Sequence, residues 1–254
     1  MNRTHIFLLI AVVVLSGCAN AHNPADPLEP LNRSIYKFNN SIDKAVVKPV
    51  AQGYSKVMPS VGKMMVSNFF SNLDDVVVTV NDVLQLKLLQ AASDGTRFLV
   101  NSTIGIYGLI DVASIGPLKK HDEDFGQTLG KWGVGNGVYL MLPILGPSSV
   151  RDSIGRYVDT FPSLTKQIQD IQTRNQVYLG EGINHRAELL NQEKVLDDAM
   201  LDPYEFIRDA YLQRRINQVY DGNPPRVRYD EEVDSEPIPV AASSPVAAQP
   251  IETP

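Results

Sequence analysis

The sequence has one cysteine, four histidines, no excess of basic residues and no apolar run long enough to span a bilayer. With a single cysteine the chain cannot form an internal disulfide, so packing has to stabilise it. The formal net charge is −6, and a chain without a basic stripe is not expected to bind nucleic acid. The uncharged residues 6–15 cover about half of the hydrocarbon core, which is too short for a transmembrane helix.

The first 18 residues have the order of a cleaved export signal. Arg3 precedes the apolar residues 6–15, and Leu15-Ser-Gly-Cys18 follows. This order predicts a secretory signal peptide over residues 1–17. Leu-Ser-Gly-Cys resembles the lipobox of bacterial lipoproteins, in which cleavage leaves an acylated cysteine at the new amino terminus. The resemblance implies that Cys18 is the lipid anchor of a tether over residues 18–25. The residue after this cysteine is Ala19 and not aspartate, and in lipoproteins of this kind such a residue resembles the sorting signal for the outer membrane.

The last 32 residues differ in composition from the rest of the chain. Six acids and no Lys or Arg lie between Asp230 and Pro254, and seven of the 17 prolines lie between Pro224 and Pro254. Without these six acids, 23 acids balance 23 bases, so the body is formally neutral. An acidic segment rich in Pro, Ala and Ser cannot bury enough surface to fold. We therefore predict a disordered tail over residues 223–254.

Apolar periodicity predicts a helical body over residues 26–222. The clearest helix begins after Asp202, which with Pro203 and Glu205 forms a start signal, and ends at Gly222. Residues 72–88 could form a strand by their β-branched content, but their helical spacing favours a helix that starts at Asn72. Three further helices are predicted: one capped by Ser163, one over 185–196, and one over 39–47 that Pro49 interrupts.

Known catalytic and cofactor motifs are incomplete in this chain. Asp124-Phe-Gly lacks the other kinase elements, and Gly126–Lys131 is one residue short of a phosphate-binding loop. Gly133-Val-Gly-Asn-Gly137 lacks the third glycine of a dinucleotide site. Four adjacent residues, His121-Asp-Glu-Asp124, cannot all face one metal ion, so a solvated acidic turn is favoured. The sequence predicts no catalytic residues, no cofactor and no metal.

Several blocks, in order, resemble the MlaA (VacJ) family of outer-membrane lipoproteins. The resemblance covers residues 26–221, with Leu28 where an aromatic residue is expected. The blocks are Asp26–Asn39, Asn68–Leu73, Arg97–Gly105 and, most specific, Glu123–Asp152, which contains Gly-Gln-Thr-Leu-Gly-Lys-Trp-Gly-Val-Gly-Asn-Gly.

The resemblance implies an all-α fold, with a ring-like helical body in the inner leaflet of the outer membrane of a Gram-negative bacterium and irregular glycine-rich segments. It implies a passive channel that removes mislocalised phospholipids from the outer leaflet and so maintains lipid asymmetry. Its implied partners are a trimeric porin and a periplasmic lipid carrier, and the lipid-anchored body would sit at the periplasmic face.

Within this frame, the glycine-rich segment 132–146 is the candidate wall of the passage. Irregular backbone is tolerated at membrane depth where protein buries it or water lines it, and Trp and Tyr suit the interface. Segments 76–89 and 98–110 are expected to face lipid tails, with packing in a soluble core as the alternative. Two other functions stay open: a lipoprotein enzyme acting on envelope lipid or peptidoglycan, and a structural adaptor on a porin. The candidate passage residues are Trp132, Tyr139, Leu140, Leu142, Pro143 and Leu145.

Overall fold

A computed structural model describes residues 26–197 and 201–225 of the chain. The structure is mostly helical, which confirms the predicted fold class, with one antiparallel two-stranded hairpin as the departure. The elements, in chain order, are α1 (Glu29–Ile42), α2 (Lys48–Val57), α3 (Ser60–Leu84), α4 (Leu88–Thr103), α5 (Phe125–Lys131), β1 (Tyr139–Leu142), β2 (Gly146–Ser149), α6 (Val150–Val158), α7 (Ile171–Asp197) and α8 (Pro203–Val219).

Helix α8 starts and ends where its sequence signals predict. The Asp202 carboxylate accepts hydrogen bonds from the backbone N–H groups of Tyr204 and Glu205, and Pro203 occupies the first turn. After the helix, Gly222 adopts a φ of +83° and its N–H donates to the carbonyl of Asn217. Local capping chemistry thus fixes both ends of this helix.

The junction between α1 and α2 differs from the predicted interruption at Pro49. The chain continues through a π-helical turn, Asp43–Val47, directly into α2. A proline inside a helix has no N–H to donate, and its ring collides with the carbonyl four residues earlier. The wider π turn just before Pro49 relieves this conflict, as π bulges commonly do in long helices.

Two other predicted helix starts are wrong. Asn72 lies in the interior of α3, which begins at Ser60, so the favoured helix is real but 12 residues longer at its start. Ser163 caps no helix: residues 164–167 form a turn, and α7 begins at Ile171, with the Asp170 carboxylate bonded to the N–H of Thr173. The Asp170 carboxylate thus supplies the capping acceptor for an orphan N–H group at the start of α7. The predicted helix over 185–196 is confirmed as part of α7.

Two asparagines of α1 hold the hairpin in place. The Asn32 amide donates to the carbonyl of Tyr139 (3.1 Å) and accepts from the N–H of Met141 (2.9 Å). One heptad later, Asn39 does the same with Leu142 (2.9 Å) and Ile144 (2.8 Å). Residues seven apart share a helix face, so the two side chains act as a third strand beside β1.

The hairpin also carries the described apolar core. Tyr139 and Met141 pack with Tyr204 of α8, and Tyr139 meets Tyr204 and Tyr211 edge to face, with ring centroids 6.4 and 6.0 Å apart. Edge-to-face pairs of this kind add to the gain from burial. The hairpin is therefore fixed on one side by α1 and on the other by α8.

Candidate functional site

The pair α3 and α4 has its polarity reversed relative to a helix pair of a water-soluble protein. Its buried side chains include Asp75, Asp82, Asp94 and Arg97, each at most 1% exposed. Most of its exposed side chains are apolar, among them Val80, Val83, Leu84, Leu88, Leu89 and Leu99. Soluble proteins place apolar side chains inside, so this pair is built for an apolar surrounding and a polar interior.

Exposed apolar residues also occupy the turns, in backbone conformations that bulky side chains rarely adopt. Leu86, Ile106, Tyr107 and Ile144 have φ values between +53° and +66° and are 56–82% exposed. The left-handed region is costly for such residues. Because all four are exposed, they place apolar side chains at the tips of three connections.

Among the described residues no helix has the length and hydropathy that crossing a bilayer requires.

A cavity of about 810 Å³ opens between α3, α5, α6, α7 and α8. Its wall combines polar and charged side chains with apolar surface, to which Phe70, Leu73 and Val77 of α3 contribute. A space of this size accommodates a drug-sized or headgroup-sized molecule. The charged residues of the wall are Asp74, Asp122, Glu123, Asp124, Arg156, Asp159, Lys166, Glu181, Arg214 and Arg215, together with His185.

One side of the cavity is a buried ion network centred on Arg215 of α8. Its guanidinium donates to both carboxylate oxygens of Asp124 (2.6 and 2.8 Å) and to both of Asp152 (3.0 and 2.9 Å). Tyr211 donates to Asp152 as well, at 2.5 Å. Burial opposes these charges, but hydrogen bonds and the charge of Arg215 hold the pKa of both carboxyls below the usual range.

Helices α5 and α6 cross next to this network at two glycines. A Cβ at Gly155 would lie 2.4 Å from the backbone nitrogen of Gly126, and one at Gly126 would lie 2.5 Å from an Asp152 oxygen. No side chain fits at either position. The close crossing brings Asp124 at the start of α5 and Asp152 of α6 within reach of one guanidinium.

Two other acids of the wall, Asp74 and Glu181, are less constrained. Asp74 faces the cavity, and its pKa is raised to about 6, mainly because the surrounding protein weakens its hydration. Repulsion by Asp122 and Glu181 adds to this rise, against the opposing charge of Lys120. Burial raises the pKa of Glu181 too. Side chains of this kind at a cavity wall are candidates for ligand contact.

The structure does not bring the six predicted passage residues to this cavity. Tyr139 is fully buried in the aromatic core, Leu140 and Leu142 are half-buried, and Pro143 and Leu145 are exposed at the hairpin tip. Trp132 is 56% exposed and donates its indole N–H to the carbonyl of Leu84 (3.3 Å). Their contact with lipid stays a prediction, and Cys18 lies outside the described residues. Sequence reasoning missed the cavity because its wall combines side chains from five helices and their connections.

The run His121–Asp124 has separated roles in the structure. His121 Nδ1 contacts Asp94 (2.8 Å), Glu123 pairs with Lys87 (2.6 Å), and Asp124 caps α5 and binds Arg215. Asp122 reaches the cavity and makes no ion pair among the described residues. Three of the four side chains of this run thus hold the fold together. No group of three or more His, Cys, Asp or Glu side chains in residues 26–197 and 201–225 is arranged to hold a metal ion.

Deeper in the interior, Asp82 of α3 and Asp94 of α4 form a close pair of buried carboxyls. Gln90 donates to Asp82 (2.8 Å), while one oxygen of each carboxyl has no hydrogen-bond partner within the described part of the chain. Burial, the Asp94 carboxyl and the charge of Glu123 raise the pKa of Asp82 to about 7, against the opposing charge of Lys87. Like charges this close favour a proton on one of them.

We expect Asp82→Asn to stabilise the protein increasingly as the pH rises from about 4 to about 7. An acid whose pKa is raised on folding stabilises the fold while it is protonated, and that stability is lost as the pH rises towards the folded-state pKa. The asparagine removes this loss and can donate to Asp94. Thermal unfolding at pH 4 and pH 8 should show a gain of several degrees at pH 8 only.

The exposed acid Asp170, at the start of α7, supplies the control, since Asp170→Asn should give no gain at pH 8. An equal effect of Asp82→Asn at both pH values would mean that Asp82 is charged in the folded protein throughout this range.

The sequence was compared with known protein families and with individual relatives. A sequence model of the MlaA lipoprotein family matches residues 24–218. The chain belongs to the MlaA lipoprotein family. It is 36% identical over 215 residues to the intermembrane phospholipid transport system lipoprotein MlaA of Escherichia coli (strain K12), an alignment that covers 82% of this chain and 85% of the relative. The Haemophilus influenzae protein of the same name is 31% identical over 241 residues, covering 87% and 92% of the two chains.

A solved structure described as the structural basis for maintenance of bacterial outer membrane lipid asymmetry has the same fold. It matches this MlaA-family chain with a TM-score of 0.68 and 35% sequence identity, covering 78% of this chain and 99% of that one. The family resemblance seen in the sequence blocks is therefore confirmed, and so is the helical fold it implied.

Proposed function

We propose that this protein is an outer-membrane lipoprotein that provides a passive route for mislocalised phospholipids from the outer leaflet to a periplasmic carrier. The observation that carries the proposal is the charged cavity of about 810 Å³ in a body whose helices α3 and α4 turn apolar side chains outward. The family relatives named as lipoproteins of a phospholipid transport system support it.

The physical task of such a protein is to keep a lipid headgroup hydrated while its acyl chains stay in an apolar place. A charged group in hydrocarbon is strongly disfavoured, and this makes unassisted movement between leaflets slow. The cavity offers the headgroup polar partners, and the apolar exterior offers the chains a continuous apolar contact. The barrier falls without an energy source, so the direction of net movement follows the lipid gradient and the downstream carrier.

We propose that the exposed apolar turns rest among lipid tails. Leu86, Ile106, Tyr107 and Ile144 project from three connections in strained backbone, and burying such side chains in lipid offsets the strain. Trp132 and the hairpin tip Pro143–Leu145 are exposed and would join them, whereas Tyr139 supports the hairpin from the core. In this arrangement the helical body lies in the inner leaflet.

Anchoring fits the same arrangement. If Cys18 carries the acyl chains, the tether to Asp26 spans eight residues, at most about 28 Å when extended. Lipid on Cys18 therefore holds the body against the periplasmic face of the outer membrane. We propose a trimeric porin and a periplasmic lipid carrier as partners. Purification from outer membrane in mild detergent, followed by identification of co-purifying protein and lipid, tests both. We assign the chain no catalytic role.

A photo-crosslinker on α8 tests the route directly. Gln218 lines the cavity, and Gln213, on the same helix, is exposed and does not line it. With a crosslinking amino acid at each position in turn, we expect phospholipid to be captured at Gln218 and much less at Gln213. Equal capture at both positions, or capture at neither, would contradict passage of lipid through the cavity. Mass spectrometry of the labelled protein provides the measurement.

A further inference from the structure

Six charged side chains of the cavity wall form no ion pair within the described residues. Arg156 donates only to the backbone carbonyls of Leu145 and Pro147 (3.4 and 3.3 Å), and Lys166 lies over the ring of Tyr178, 4.2 Å from its centroid. Five of these six side chains are exposed and Glu181 is half-buried, so their charges are open to a ligand that enters the cavity. The six are the acids Asp74, Asp122 and Glu181 and the cations Arg156, Lys166 and Arg214.

The three acids act as one group. They come from α3, the segment before α5, and α7, and all three line the same cavity. Asp122 and Glu181 repel the charge of Asp74, against the opposing charge of Lys120. They are nevertheless not arranged to chelate a metal, because no metal-ligand group of three occurs among the described residues. A set of carboxylates spread more widely than metal ligands suits a larger organic cation, such as an alkylammonium group.

The cations come from other parts of the wall. Arg156 is on α6 beside the hairpin, Arg214 is on α8, and Lys166 is in the turn between α6 and α7. Lys166 is the nearest of them to the acids, since its charge acts on Glu181 from beyond ion-pair distance. Guanidinium groups with free N–H donors match the oxygens of a phosphate.

We infer that the cavity selects ligands that carry an ammonium and a phosphate on one short linker. The inference rests on the proposed function and names the substrate class of the same site. This chemistry occurs in a zwitterionic phospholipid headgroup and in free phosphoethanolamine. The ammonium is placed at Asp74, Asp122 and Glu181, and the phosphate at Arg156 and Arg214. A headgroup with a phosphate and no ammonium leaves the three acids unpaired and repelled by its own charge.

The test uses the full-length lipoprotein purified in mild detergent and incubated with an equimolar mixture of phosphatidylethanolamine and phosphatidylglycerol of identical acyl chains. Bound lipid is then quantified by mass spectrometry. We expect wild type to retain phosphatidylethanolamine up to about fivefold over phosphatidylglycerol, the upper end for one solvent-accessible ion pair. The variant Asp74→Asn/Asp122→Asn/Glu181→Gln should retain both lipids in the input ratio.

This variant is expected to fold, because the three side chains make no hydrogen bond and no ion pair within the described residues, and the raised pKa values of Asp74 and Glu181 show that their charged forms are already disfavoured there. A matched control neutralises three exposed acids outside the cavity and should keep the wild-type ratio. The control substitutions are Asp170→Asn, Glu205→Gln and Asp209→Asn.

The outcomes separate the two proposals. Equal retention of both lipids by wild type, or an unchanged preference in the acid variant, overturns the headgroup selection and leaves lipid passage standing. Retention of no lipid by wild type overturns the proposed function and the selection with it. Competition by free phosphoethanolamine shows that the headgroup alone is recognised, and preference without competition shows that recognition needs the whole lipid; both support the selection.

Discussion

Replacing Arg215 with methionine is expected to lower the melting temperature by about 6–20 °C or to prevent folding. The side chain is 8% exposed and is the main partner of Asp124 and Asp152. Removing one member of a buried ion network leaves the others charged and unpaired, at a typical cost of about 3–5 kcal/mol, and each kcal/mol shifts the melting temperature of a domain this size by about 2–4 °C. Thermal unfolding followed by circular dichroism measures the change.

The neighbouring arginine provides a matched control for this experiment. Arg214 is exposed and forms no ion pair within the part of the chain that the structure describes. Arg214→Met should change the melting temperature by less than about 2 °C, in line with ordinary surface substitutions. If both variants unfold at the same temperature, the network around Arg215 does not stabilise the fold.

Replacing Gly155 with alanine is expected to destabilise the protein by about 1–3 kcal/mol or more, although alanine is the better helix former. The added Cβ would lie 2.4 Å from the backbone nitrogen of Gly126 and 2.8 Å from its Cα. Backbone atoms at a helix crossing cannot move aside as a flexible side chain can. The helices α5 and α6 would have to separate, which also moves Asp124 and Asp152 apart around Arg215. Chemical denaturation gives the free energy of unfolding.

A glycine in α7 tests the same substitution without the crossing. Gly180 has no atom within 4 Å of a Cβ built on it, so Gly180→Ala should stabilise the protein by up to about 1 kcal/mol. The two variants thus have opposite expected signs for the same chemical change. A stabilising effect at Gly155 would show that α5 and α6 do not cross as closely as the structure places them.

Sequence patterns predicted the elements that local chemistry determines. The start of α8 follows from Asp202, Pro203 and Glu205, residues within four positions of one another, and no distant contact is needed to read it. The irregular character predicted for residues 132–146 holds for residues 132–138, whereas Tyr139–Leu142 form strand β1. The helix start predicted at Ser163 is wrong because a hydroxyl followed by apolar residues is a weak signal. The carboxylate of Asp170, seven residues later, caps the helix.

The hairpin and the cavity were beyond the reach of local patterns. The hairpin depends on the hydrogen bond from Asn32 to the carbonyl of Tyr139, which lies 107 residues later in the chain. No local sequence pattern around either residue predicts that hydrogen bond. Tyr139 carries an aromatic side chain that suits a membrane interface as well as a core, and only its packing against Tyr204 decides for the core. The cavity wall combines residues from Phe70 to Gln218, so its existence follows from tertiary packing alone.

The bonds from Asn32 to β1 also affect how this protein meets other copies of itself. An uncovered strand edge offers free N–H and C=O groups on which a second chain can pair, and such pairing starts aggregation. The Asn32 amide occupies the Tyr139 carbonyl and the Met141 N–H, which are the groups that an incoming strand would need. If the body lies in a membrane leaflet, as proposed, neighbouring copies meet in two dimensions, and this side chain keeps the hairpin from becoming a site of strand exchange.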